Sequence, residues 1–88
     1  MAAGAILIDA RDNVAVVTTP ARAGEEATGA GGRTILCVSD VPQYHKVAVR
    51  AIAVGEPVIK YGERIGVALA SIRPGEHVHE HNLGPEED

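Results

Sequence analysis

The sequence predicts an all-β domain of short strands and tight turns. Three observations carry that prediction. The apolar runs are short and rich in β-branched residues, turn formers separate them at close intervals, and no helical periodicity persists for the ~11 residues of a typical helix.

Taken in order, the first run, 5–9, is Ala5-Ile6-Leu7-Ile8 closed by Asp9, and Asp12 reads as a turn residue before the second run, 13–18. Segment 19–33 then mixes Gly24, Gly29, Gly31 and Gly32 with Ala, Thr and charge. It reads as a flexible glycine-rich loop, because such a composition buries too little apolar surface to fix itself. A phosphate cradle there is argued against by the absence of a Lys-Ser/Thr pair. Strands follow at 34–38, at 46–52 after a turn containing Pro42, at 57–61 and 65–71 on either side of Gly62, and at 77–81. The domain is read as 1–83, with 84–88 a disordered C-terminal tail.

Composition narrows the function. At 88 residues the chain is one domain, near the size where a single core becomes adequate. With two Tyr and no Phe or Trp, that core is expected from Val, Ile, Leu and Ala. The formal charge of −4, with no basic cluster and no aromatic platform, argues against nucleic acid. No segment approaches the ~20 apolar residues of a membrane span and no cationic leader is visible, so a cytoplasmic protein without membrane contact is expected. The single cysteine, Cys37, lies in an apolar strand with nothing near it to lower its pKa, and reads as a buried structural thiol.

A quasi-repeat links Ile52-Ala53-Val54-Gly55-Glu56-Pro57-Val58 to Ile72-Arg73-Pro74-Gly75-Glu76-His77-Val78, with Ala23-Gly24-Glu25 a fainter copy. It reads as a reused turn, with glycine supplying the positive φ and the acidic residue bonding local amides.

The chemistry-bearing feature is His77-Val78-His79-Glu80-His81. In an extended strand these three imidazoles share one face, which suits metal binding or proton transfer near neutral pH. Exposed polar residues on an edge strand are the alternative. Two imidazoles at i and i+2 stand ~6.5–7 Å apart along the backbone and can converge on one ion at ~2 Å ligand distances.

Pro42-Gln43-Tyr44-His45-Lys46-Val47-Ala48, Gly55-Glu56-Pro57-Val58-Ile59-Lys60-Tyr61-Gly62, Ile65-Gly66 and Gly75-Glu76-His77-Val78-His79-Glu80-His81-Asn82 occur here in one order and spacing. Together they closely resemble the N-terminal module of the altronate and galactarate dehydratases, and Asp12-Asn13-Val14-Ala15 extends the likeness. The resemblance implies a small β-clip domain of the SAF type and sugar-acid lyase chemistry. It further implies a free-standing small subunit whose site is completed by a large catalytic subunit, as in two-subunit altronate-type dehydratases and the related sulfolactate sulfo-lyase. The substrate would be a small hydroxy acid, and the implied cofactor a divalent metal, Fe2+ or Mn2+.

Carried onto these residues, the match makes His79 and His81 the expected metal ligands and leaves His77 peripheral. His45, Lys46 and His79 are the expected catalytic groups, Lys46 either holding a substrate carboxylate or acting as a base. Lys60 and Asn82 are expected on the substrate, while Tyr61 reads as a core ring with its hydroxyl bonded. The rival readings are a non-catalytic SAF-type module that binds a sugar acid or a protein, and a structural partner of the large subunit.

Overall fold

A computed structural model describes residues 3–86 of the chain. Among these residues there is no helix. The strands are β1 (Ala3–Ile6), β2 (Val14–Val17), β3 (Glu26–Ala30), β4 (Arg33–Leu36), β5 (Lys46–Ala48), β6 (Pro57–Lys60), β7 (Glu63–Ala68), β8 (His77–Val78) and β9 (Leu83–Gly84). They form a six-stranded sheet, β4-β3-β1-β2-β5-β8, and a three-stranded sheet, β6-β7-β9. The all-β expectation holds.

Two clusters of small aliphatic residues make the core. One gathers Ala15, Val17, Ala21, Ala27, Ile35, Cys37, Val41 and Val47. The other gathers Val14, Ala48, Ile52, Val58, Ala68, Ile72 and Val78. Burial pushes the Cys37 thiol upward, with the Glu25 charge adding to it, so this cysteine is a packing residue. Asn13 joins the two sheets as a strand would: its Nδ2 donates to the Pro57 carbonyl at 2.9 Å and its Oδ1 accepts from the Ile59 amide at 2.7 Å. The buried Asp12 carboxylate accepts from the amides of Ile8, Asp9 and Gly62, which outweigh burial and lower its pKa.

The framework between the cores is one turn used four times. Ala21 and Val41 bridge each other through a pair of amide-to-carbonyl bonds, and Ile52 and Ile72 do the same. Each of these four residues is followed by a four-residue turn in which the last amide donates to the first carbonyl: Glu25 to Arg22, His45 to Pro42, Glu56 to Ala53 and Glu76 to Arg73. The third residue of each has positive φ, at Gly24 (91°), Tyr44 (66°), Gly55 (82°) and Gly75 (82°). Its amide donates at 2.8 Å to Cys37, Val17, Ala68 and Ala48 respectively, and those residues donate back to Glu25, His45, Glu56 and Glu76. The repeat seen in the sequence is therefore a repeat of structure, and the turn at 42–45 is a copy with Tyr44 and His45 where the others have Gly and Glu.

Three boundaries differ from the sequence reading. Segment 19–33, expected as a loop, contains β3, with Ala27 fully buried between β1 and β4. Its glycines set backbone geometry: Gly29 forms a bulge at φ 98°, where an added Cβ would stand 3.0 Å from the Ala5 carbonyl oxygen. The run 77–81 is extended only as far as Val78 and then turns. Gly84, placed in the tail by sequence, is buried in β9, and Glu86 pairs with Arg64; Glu87 and Asp88 lie outside the described residues.

Candidate functional site

Strand register brings the histidines together. Lys46 pairs with Val78 and Val47 with His77, so one step further along the ladder His45 faces His79. Alternation sends His45, His77 and His79 to one face of this edge of the six-stranded sheet. There the His45 and His79 rings stack with centroids 4.2 Å apart, and His45 Nδ1 lies 2.9 Å from His77 Nε2. That separation requires one shared proton, with one ring donating and the other accepting. His81 sits outside this trio, exposed, with its ring tilted against His77 at 5.2 Å.

The backbone around the trio is held from three directions. The His77 amide donates to Ser39 Oγ at 2.8 Å. Asn82, 3% exposed, accepts the His79 amide on Oδ1 and donates from Nδ2 to the His77 carbonyl, both at 2.9 Å. The amides of Asn82 and Leu83 donate to the His79 carbonyl. This arrangement ends the strand after Val78. Asn82, expected from sequence on a substrate hydroxyl, is engaged here in holding the turn through both ends of its carboxamide.

The site favours neutral imidazoles. Burial, followed by the charges of His81, His45, His79 and Lys46, holds His77 down at about 4. Burial and the charges of His79 and Lys46 also lower His45. A neutral imidazole offers a lone pair to a metal or a proton, so near pH 7 these rings are in the form such chemistry needs.

His45, His77 and His79 each offer a ligand nitrogen, and these atoms all lie within 4.8 Å of one another. Three imidazole nitrogens this close together suit a first-row divalent ion. Sequence reasoning expected His79 with His81 and left His77 peripheral, but the structure groups His77 and His79 with His45, the ring nearest both others, and leaves His81 outside.

Lys46 does not join this face. It lies on the side of β5 that carries Ala48 and the second core, half-buried, where burial and then the charge of Lys60 lower its pKa. Lys60 stands 5.3 Å from the Tyr61 ring centroid, and Tyr61 is at the tip of the β6–β7 hairpin at φ 55°, not in the core. A separate cleft of about 290 Å³ is lined by Leu7, Ile8, Asp9, Ala10, Asp12, Gly31 and Arg33, and contains none of the histidines. Sequence reasoning missed Ser39, whose contact spans 38 positions and has no local signal. No helix among the described residues is long and apolar enough to cross a membrane.

Comparison with known proteins places these motifs. The altronate/galactarate dehydratase SAF domain matches residues 3–86. The chain is 47% identical over 77 residues to the altronate dehydratase of Escherichia coli, a match covering 88% of this chain but 15% of that protein. It is 44% identical over 84 residues to the (2R)-sulfolactate sulfo-lyase subunit alpha of Chromohalobacter salexigens, covering 89% of both chains. The corresponding subunit of Paracoccus pantotrophus is 48% identical over 44 residues, half of this chain and 66% of that one.

Proposed function

The chain belongs to the altronate/galactarate dehydratase SAF domain family, and on that premise we propose that it is the small subunit of a two-subunit lyase acting on a hydroxylated or sulfonated small acid. The observation that carries this reading is the trio His45, His77 and His79, gathered on an edge of the sheet in a chain that matches a lyase subunit over 89% of both lengths. A large subunit would close over that edge and complete the site. Altronate, galactarate and sulfolactate each present a carboxylate beside a hydroxyl, and the choice among them would rest with the partner.

The reaction removes a proton α to a carboxylate and expels hydroxide or sulfite from the neighbouring carbon. It therefore needs a base, a stabiliser for the enolate-like charge and help for the leaving group. His45, His77 and His79 would hold a divalent metal, Fe2+ or Mn2+ by family resemblance. Such an ion, when bound, supplies Lewis-acid stabilisation of substrate oxygens. Without the ion, His45 and His77 share a proton across 2.9 Å, which a bound ion would displace, and His81 stands exposed beside His77. Lys46, on the adjoining face of β5, and Lys60, at the end of β6, add positive potential that attracts an anionic acid toward this edge.

The test is co-purification of the chain with the protein encoded beside it, followed by lyase assays on altronate, galactarate and sulfolactate with and without added Fe2+ or Mn2+. Turnover only when both proteins are present is the expected result. A partner fully active without this chain would overturn the reading and leave a binding or structural module.

A further inference from the structure

The four turns share their backbone bonds and differ in how the first residue is capped. In three of them the closing glutamate accepts the first residue's amide on Oε1: Glu25 from Arg22 at 2.7 Å, Glu56 from Ala53 at 3.0 Å and Glu76 from Arg73 at 2.9 Å. In the fourth the closing residue is His45 and the first is Pro42, which has no amide hydrogen to give. The backbone bond from His45 to the Pro42 carbonyl, 3.0 Å, is kept, as are the bonds to Val17.

The consequence falls on one atom. Nδ1 is the imidazole nitrogen nearest its own main chain, and a free amide three residues earlier would compete for it, as such amides claim the carboxylates in the other copies. With proline there, no local donor exists, and His45 Nδ1 instead meets His77 Nε2 at 2.9 Å.

We propose that Pro42 is a positioning residue of the site: by removing the one amide that this turn's closing residue would cap, it leaves His45 Nδ1 to bond His77 Nε2 when no cation is bound and to take a cation in place of that proton when one is. The cation part rests on the reading of the trio as a metal centre. The hydrogen-bond part stands without it.

The experiment uses the full chain, Co2+ as a spectroscopic probe, and amide exchange in the metal-free state. Pro42→Ala restores an amide, which should be protected from exchange, and Co2+ affinity should fall about tenfold, the scale seen when the outer support of a ligand is altered. The melting temperature should not fall in proportion. Pro42→Ala combined with His45→Glu rebuilds a capped turn and should melt higher than His45→Glu alone while binding Co2+ no better. An unprotected amide at position 42 together with unchanged Co2+ affinity would overturn the proposal. If the wild-type chain takes up no Co2+, the metal reading fails, and protection of the restored amide still decides the role of Pro42.

Discussion

The two bridged pairs of the framework have the same hydrogen bonds and different contents. Ile52 and Ile72 sit in one core, with glycine at the bend of both turns and glutamate at both caps. Ala21 and Val41 sit in the other, with smaller side chains, and the turn after Val41 has given up glycine for Tyr44 and glutamate for His45. The first pair keeps the capped turn on both sides, whereas the second has one turn whose closing residue belongs to the histidine trio. Redundancy explains how this is tolerated: with four copies of one bonding pattern, a single uncapped and strained copy is held in shape by the other three.

The largest effect that sharpens this comparison is in the bridges. Ile72→Ala and Ile52→Ala each remove a large, fully buried side chain, and should destabilise the chain by about 2–4 kcal/mol in urea unfolding. Val41→Ala deletes less volume and should cost about 1–2.5 kcal/mol. Equal losses at both bridges would mean that the two cores do not differ in the way their side chains suggest.

Caps come next. Glu76→Ala removes the carboxylate on the Arg73 amide and should cost about 1 kcal/mol, as cap deletions do. His45→Ala, at the same place in its own turn, leaves no amide uncapped and loses the bond to His77 at a half-exposed edge, so it should cost about 0.5 kcal/mol, the low end for a hydrogen bond. The order reverses for function. In the assembled enzyme His45→Ala, His77→Ala and His79→Ala should each lower kcat/KM at least about 100-fold, with the double changes little worse than the singles, and Glu76→Ala should leave it near wild type unless the His77 strand shifts.

Tyr44 gives a smaller change of opposite sign. A non-glycine residue at φ 66° with its ring 71% exposed gains little packing to offset its backbone. Tyr44→Gly should therefore stabilise the chain by about 0.5–1 kcal/mol, the usual size of the strain relieved less the entropy glycine brings. A loss of stability would place the ring in a contact that the isolated chain keeps.

Legibility followed locality. The strands at β2, β4, β6 and β7 were readable because β-branched runs between turn formers depend on near neighbours alone. The glycines of 19–33 misled because freedom in sequence and fixed positive φ in structure use the same residue. The histidine row misled for a different reason: alternation holds only while the chain is extended, and Asn82 captures the His79 amide and ends the strand. His45 and His79 carry sequence motifs of their own, but the place of His77 beside them depends on the β5–β8 register, which joins residues about thirty positions apart and leaves no trace in either segment. The fourth turn stayed hidden because the two residues that mark the others are the two it replaced.

At neutral pH the smallest effect comes from His77, and acid enlarges it. Its folded pKa, about 4, lies below the ~6.5 of an unfolded histidine, so between those values the unfolded chain binds more protons. Stability from this group is therefore complete above ~6.5, falls as the pH drops toward about 4, and changes no further below that. The groups that set the slope are burial first, then the charges of His81, His45, His79 and Lys46. Asp9, lowered to about 2 by its hydrogen bonds to Arg11, loses its contribution only below ~3.8, so the two windows separate. Urea unfolding of the metal-free chain in chelator at pH 7, 5.5, 4 and about 2.5 should show the loss, and His77→Gln should flatten it between pH 7 and 4 while leaving the Asp9 step below that in place. An equally steep slope in that variant would place the acid sensitivity in His45, whose pKa is lowered in the same sense, and not in His77.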